Sequence, residues 1–133
     1  DSVILIGAFY KRDQWHDLAV PIVLEMEQGN IHGIITEYIL SEVLTFLKRR
    51  SGLHAAKIVH DTLFESDILD IVYLNQNQFM NGLTIFTSFP HLSVVDATSI
   101  AIMRDLNIRD IYSFDSDFDI IEGIVRHESL ARS

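Results

Sequence analysis

Hydrophobic and polar positions along the chain alternate between short apolar runs and longer stretches with helical spacing. Val3–Phe9 is a continuous apolar run, suited to a buried strand or to a strand end running into a helix. Trp15 to Gln28 places Leu18, Ile22, Val23 and Met26 at helical intervals, and Gly29-Asn30 ends it. Pro21 inside this segment predicts a kink or a helix that starts near it. Ile31–Ile35 reads as a short strand. Thr36 then caps a helix running through Arg50, closed by Gly52, and Leu53 to Phe64 forms a second helix with Ala56, Val59, His60 and Leu63 on one side. Leu69–Leu74 is strand-like, and Gln76 to Phe89 is a helix stopped by Pro90. Ser93 or Asp96 opens the next helix, to about Leu106. Ile111–Phe114 is a strand, Asp117 to Glu122 a short helix, and Ile124-Val125 a last small strand.

Strands separated by helices require crossover connections. The expected fold is therefore α/β, with a central, mostly parallel sheet covered on both faces. In such sheets ligands bind beyond the carboxyl ends of the strands. The chain has 133 residues, no internal repeat and no linker, so a single domain over 1–133 is expected. With 48% hydrophobic residues it can fill a core. It has no cysteine, which excludes a disulfide scaffold and a thiolate zinc site. The longest apolar run, Val3 to Tyr10, is far short of the ~20 residues of a membrane span. No membrane association is expected, and no basic leader opens the sequence.

The charge is acidic, 19 Asp and Glu against 10 Lys and Arg, a formal net charge of −9. Taken alone this argues against attachment to nucleic acid through a basic surface. The positions of the acids change that picture. Asp13, Asp17, Glu25, Glu27, Glu65, Asp67 and Glu128 read as solvated surface charge. Five others lie inside or beside apolar runs. Asp1 precedes Ser-Val-Ile-Leu-Ile and reads either as a frayed terminal residue or as a carboxylate at a strand end. Glu42 has Tyr38, Ile39, Thr45 and Phe46 as helical neighbours, so it sits on a mostly apolar face or at that face's edge with a snorkelling side chain. Asp96 fits a helix cap as well as a buried helix start. Asp115 and Asp117 follow a strand, and they fit an acidic turn capping the next helix as well as a site. The Asp115/Asp117/Asp119 spacing opens like a calcium loop, but Ile120 stands where that loop requires glycine and Arg126 where it requires a bidentate glutamate.

Carboxylates gathered at one strand edge need a counter-charge, since two of them ~5 Å apart repel by roughly 3 kcal/mol at an effective dielectric of 20. Oxygen-only donors favour a hard cation, Mg²⁺ or Mn²⁺. Such a site attracts a phosphodiester despite the acidic balance. There is no glycine-rich phosphate loop and no nucleophile elbow. The six histidines lack metal-ligand pairing at i, i+4, and Trp15 and the phenylalanines read as core or dimer surface. A phosphotransfer receiver would need a lysine after a late strand, and none follows Lys57.

Four segments resemble the PIN-domain family, the nucleases that include the VapC toxins of toxin–antitoxin pairs. They are Asp1-Ser2-Val3-Ile4-Leu5-Ile6; Ile34-Ile35-Thr36 with Ser41-Glu42-Val43-Leu44; Leu92-Ser93-Val94-Val95-Asp96-Ala97; and Tyr112-Ser113-Phe114-Asp115-Ser116-Asp117-Phe118. The resemblance implies a three-layer α/β/α fold. It implies that Asp1, Glu42, Asp96 and Asp115 are the catalytic, metal-site acids, with Asp117 as an alternate fourth acid and Ser2 and Ser113 supporting them. It implies Mg²⁺- or Mn²⁺-dependent cleavage of RNA to a 5′-phosphate, by a cytoplasmic toxin or RNA-processing enzyme. A catalytically silent RNA- or protein-binding module of the same fold is the alternative. The family carries a hydrophobic strand immediately ahead of the first aspartate, so such a strand is expected ahead of Asp1. Lys48, Arg49 and Arg50 could guide RNA phosphates, with Lys57, or simply complement the helix dipole. The helices between 36 and 66 carry more Leu, Ile and Phe than one face can bury, which predicts a homodimer or a groove for an antitoxin.

Overall fold

The computed structural model describes residues 1–130. The order of elements is α1 (Ser2–Phe9), α2 (His16–Glu27), β1 (Gly33–Thr36), α3 (Glu37–Ser51), α4 (Leu53–Glu65), β2 (Leu69–Val72), α5 (Gln76–Ser88), α6 (Val94–Asp105), β3 (Asp110–Tyr112), a 3₁₀ turn (Ser116–Ile120) and β4 (Val125–His127). Helices alternate with parallel strands, as the periodicity predicts.

Local chemistry accounts for most boundaries. The Thr36 hydroxyl accepts from the Ile39 amide at 3.2 Å and opens α3. Asn75 with Gln78, and Ser93 with Asp96, form reciprocal capping boxes that open α5 and α6. Gly52, at φ 89°, ends α3 and starts α4 in a conformation that side chains resist. Helix α2 runs through Pro21 without starting there.

At the start of the chain Ser2–Phe9 is helix, so of the two readings of this run the buried strand is excluded and the run into a helix is the one met. Ile4 and Leu5 are buried while Ile6, Ala8 and Phe9 pack against the same core. The run is apolar on nearly every side, so it carries no stripe that would distinguish helix from strand. His60 departs from expectation, facing solvent beside Asp61 at 3.0 Å rather than joining Val59 and Leu63 inside.

The strands form two separate parallel pairs. β1 pairs with β2 (Gly33 opposite Leu69, Thr36 opposite Val72), and β3 with β4 (Asp110 opposite Val125, Tyr112 opposite His127). The core is divided in the same way. One cluster centres on Ile22, Val43, Leu47 and Leu63, the other on Ile100, Phe118 and Ile121. Between them lies a cavity of about 550 Å³, lined by every residue of β1 and of β3.

Helices α5 and α6 cross closely at Gly82. A Cβ there would stand 2.7 Å from the Thr98 Cγ2 and 3.0 Å from its Cα. Thr98 is fully buried and cannot withdraw. Gly82→Ala should therefore destabilise the fold by about 1–3 kcal/mol, despite alanine's better helix propensity, as read from urea unfolding.

Candidate metal centre

The site is built where the start of α1 meets the carboxyl end of β3. Asp1 is the N-cap of α1, and its Oδ1 accepts from the Ser2 amide at 2.7 Å. The buried Ser113, just past β3, donates its hydroxyl to Asp1 Oδ2 at 2.6 Å. The same hydroxyl accepts from the Asp115 amide at 3.0 Å. Ser113 thus fixes two of the acids at once. Ser2, also buried, sits 3.4 Å from Asp1 Oδ1 through its own hydroxyl. The Asp1 amino group donates to the Tyr112 carbonyl at 3.1 Å. Burial pulls that amino group down to about 6, and the nearby Asp96 and Glu42 carboxylates oppose the fall.

The other acids arrive from separate helices. Asp96 lies in the first turn of α6, half-buried, and its Oδ2 accepts from the Ser93 amide at 3.2 Å. Ser93 is the N-cap and Asp96 its partner at the third helical position, while the charge of Asp96 is felt at the Asp1 amino group and at Asp117. Asp115 accepts from the Asp117 amide at 2.9 Å. Asp117 is raised above the usual carboxylate range by desolvation, by the charge of Asp115 and by a hydrogen bond with it, with Asp96 adding to the effect.

Of the two readings of Glu42, the structure matches the position at the edge of the apolar face. It projects from the middle of α3 and is exposed, since Thr45 beside it is exposed and Tyr38 and Phe46 are only half-buried. It is close enough to Asp1 to act on its amino group. It makes no hydrogen bond among the described residues, which leaves both of its oxygens free.

Sequence reasoning overlooked His91. It is exposed in the loop two residues before Ser93, and its charge draws the Asp117 value down, against the other influences. Its closeness in sequence to the Ser93–Asp96 capping box was the available signal. The basic triad is only partly brought to the site. By helical geometry Arg49 lies about 20° from Glu42 around α3 and Arg50 about 80°, but Lys48 lies about 120° away.

The donor set suits a hard cation: carboxylate oxygens backed by serine hydroxyls, with no sulfur. Each of Asp1, Asp96 and Asp115 commits oxygen to backbone amides or to Ser113. No three of the described His, Asp or Glu side chains already stand at cage distance. An ion that keeps several of its waters, as Mg²⁺ does, fits such an arrangement better than one that needs a full protein cage.

The PIN domain family profile matches residues 1–124. The chain belongs to the PIN-domain family. The fold of this PIN domain is similar to that of the Mycobacterium tuberculosis toxin VapC20, described as cleaving the sarcin–ricin loop. The two share a TM-score of 0.76 and 23% identity over 89% of each chain. No curated protein matches the sequence.

Proposed function

We propose that this PIN domain is a Mg²⁺- or Mn²⁺-dependent endoribonuclease, the toxin of a toxin–antitoxin pair acting in the cytoplasm. The observation that carries the reading is the meeting of Asp1, Glu42, Asp96 and the Asp115–Asp117 pair at the end of β3. Five acids from four elements have no structural need to gather there, and a bound cation would relieve their repulsion.

Asp1, Asp96 and Asp115 would hold the ion, with Glu42 or Asp117 completing the set. When bound, the ion neutralises the phosphodiester and lowers the pKa of a water. Ser113 holds the Asp1 carboxylate and the Asp115 backbone through one hydroxyl. Glu42, without a hydrogen-bond partner, is the group placed to orient the attacking water and accept its proton. Water oxygen bonds to phosphorus, the bond to the 3′-oxygen breaks, and that oxygen leaves with a proton. The products are a 5′-phosphate and a 3′-hydroxyl.

The experiment is incubation of a mixed RNA pool, and of a sarcin–ricin-loop hairpin as one defined substrate, with Mg²⁺, Mn²⁺ or EDTA. Cleavage with either ion and none in EDTA is expected, with 5′-phosphate ends. The missing three-ligand cage favours the second reading, a silent PIN-fold binding module. That reading requires RNA or protein binding, no cleavage, and no change of melting temperature with either ion.

For partners, we infer an interface on α4. Leu53, Ile58 and Phe64 are 67%, 53% and 49% exposed along this one helix. They suit a second copy of the chain or an apolar helix of an antitoxin.

A further inference from the structure

The geometry points to a cationic track for the RNA backbone, formed by the turn between α1 and α2 together with the last turn of α3. This rests on the ribonuclease reading and names the path by which the substrate reaches that site.

Tyr10 and Asp13 close a turn, with the Asp13 amide donating to the Tyr10 carbonyl at 3.0 Å. Lys11 and Arg12 are its two central residues, so both project from its tip, and both are exposed. Neither joins an ion pair among the described residues, whereas Arg126 is held by Asp119 at 2.8 Å and Glu128 at 3.0 Å.

Aromatic contacts fasten this turn on two sides. Tyr10 meets Phe46 of α3 edge-on, with centroids 5.4 Å apart, and Arg50 lies over the same Phe46 ring at 5.5 Å. At the other end Trp15 stacks on Phe114 at 4.8 Å and 16°. Phe114 is the residue before Asp115. The Trp15 amide donates to the Asp13 carboxylate at 2.9 Å, which ties that end down. The turn is thus strapped between the basic end of α3 and the acids.

Glu42, Phe46, Arg49 and Arg50 lie along one stripe of α3, Glu42 being about 10–12 Å from the two arginines along the axis. Lys11 and Arg12 add charge at the side of the same stripe. The Tyr10–Phe46–Arg50 contacts bring Lys11, Arg12 and Arg50 together and Arg49 joins them by its place on α3, in a chain whose net charge of −9 would otherwise repel a polyanion. A phosphate backbone crossing from Arg50 past Lys11 and Arg12 would arrive at the acids with its charge already matched. An acidic protein surface would match the cations equally well but would gain nothing from their alignment with Glu42.

The test compares wild type, Lys11→Ala/Arg12→Ala, and Arg104→Ala, whose exposed side chain lies at the far end of α6 from Asp96. Binding of a labelled mixed-sequence 20-mer RNA is measured in EDTA over a salt series, and cleavage kinetics in Mn²⁺. Each single-strand phosphate contact contributes a slope of about 0.7 in log K against log salt. The double variant should flatten the slope by about 1.4, weaken binding about tenfold, and raise KM about tenfold with kcat unchanged. Arg104→Ala should match wild type, and melting temperatures should agree across the three. If wild type cleaves and the double variant keeps its KM and salt slope, the track is overturned while the ribonuclease reading stands, and the rim passes to an acidic protein partner. A fall in kcat at constant KM also overturns it, since the turn would then act by shaping the site. If wild type neither binds nor cleaves RNA, the track and the reading fall together.

Discussion

Asp96→Asn will abolish RNA cleavage and remove the rise in melting temperature that Mg²⁺ gives the wild type. The substitution separates the two roles of this side chain. As a cap, Asp96 needs only an oxygen that accepts from the Ser93 amide, and the asparagine amide oxygen supplies one. As part of the acid cluster it needs its charge, which asparagine lacks. Loss of a group that holds charge opposite the reacting phosphate should lower kcat by at least about a hundredfold. Without a cation, Asp96 repels Asp117 but attracts the Asp1 ammonium, so its neutralisation should leave the melting temperature in EDTA nearly unchanged. Mg²⁺ should then raise the melting temperature of wild type and leave the variant unmoved. Asp96→Ala should also be inactive but lose ~0.3–1.5 kcal/mol with the capping box. Retained activity in Asp96→Asn, with Asp96→Ala merely less stable, would reduce Asp96 to a cap and remove the acid cluster as a catalytic site.

How far this site was legible in the sequence follows from what each residue contributes. Asp96 and Asp115 stood out because a charge beside a buried apolar run is costly and needs a reason. Ser113 was legible only through the family resemblance, since nothing in composition marks a hydroxyl that bridges two acids from opposite ends of the chain. The helices were legible where one face is buried, as in α3 and α4. They were not legible in α1, where Ile4 and Leu5 are buried and the flanking residues pack as well, so that no period survives. Glu42 stayed between two readings for a related reason. Neighbours at three and four residues tell which side chains share a face, not whether another element covers that face, and here none covers Glu42 itself. The Lys11–Arg12 turn carried no signal at all. Only the ring contacts of Tyr10 with Phe46 and of Trp15 with Phe114 bring it beside residues 36 and 99 positions further along.

The largest stability effect should come from the cavity between the strand pairs. It is about 550 Å³, bordered by Ile4, Leu5, Ile35 and Leu69 from one half of the core and by Met103 and Ile111 from the other. Protein interiors rarely leave such a volume unfilled. Both β1 and β3 border it and each has a single strand partner, so each offers an unpaired edge to it. Ser99 lines it too, and its buried hydroxyl has no hydrogen-bond partner. At its end the Asp1 nitrogen donates to the Tyr112 carbonyl at 3.1 Å, the kind of bond a strand neighbouring β3 would make. An extended apolar segment of about four residues leading directly into Asp1 would span ~13 Å and join the pairs into one parallel sheet in the order β2, β1, inserted strand, β3, β4. Buried on both faces, it should be a continuous Val/Ile run rather than an alternating one. Each such side chain contributes about 1.5–3 kcal/mol on burial, against ~1–2 kcal/mol for ordering its backbone. The surplus over four residues, with two free edges newly paired, should raise the melting temperature by about 10 °C or more. A Gly/Ser extension of equal length should leave it unchanged. Binding of a dye that reports exposed apolar surface should fall with the first extension only. Equal melting temperatures for the two extensions would rule out a strand there and leave the cavity to a small apolar ligand, for which its volume is also suited. The acids would feel the difference as well, because the inserted strand replaces the Asp1 ammonium with a neutral amide. Glu42 and Asp96 would then face a site whose positive charge comes only from a cation, and affinity for Mg²⁺ should rise together with stability.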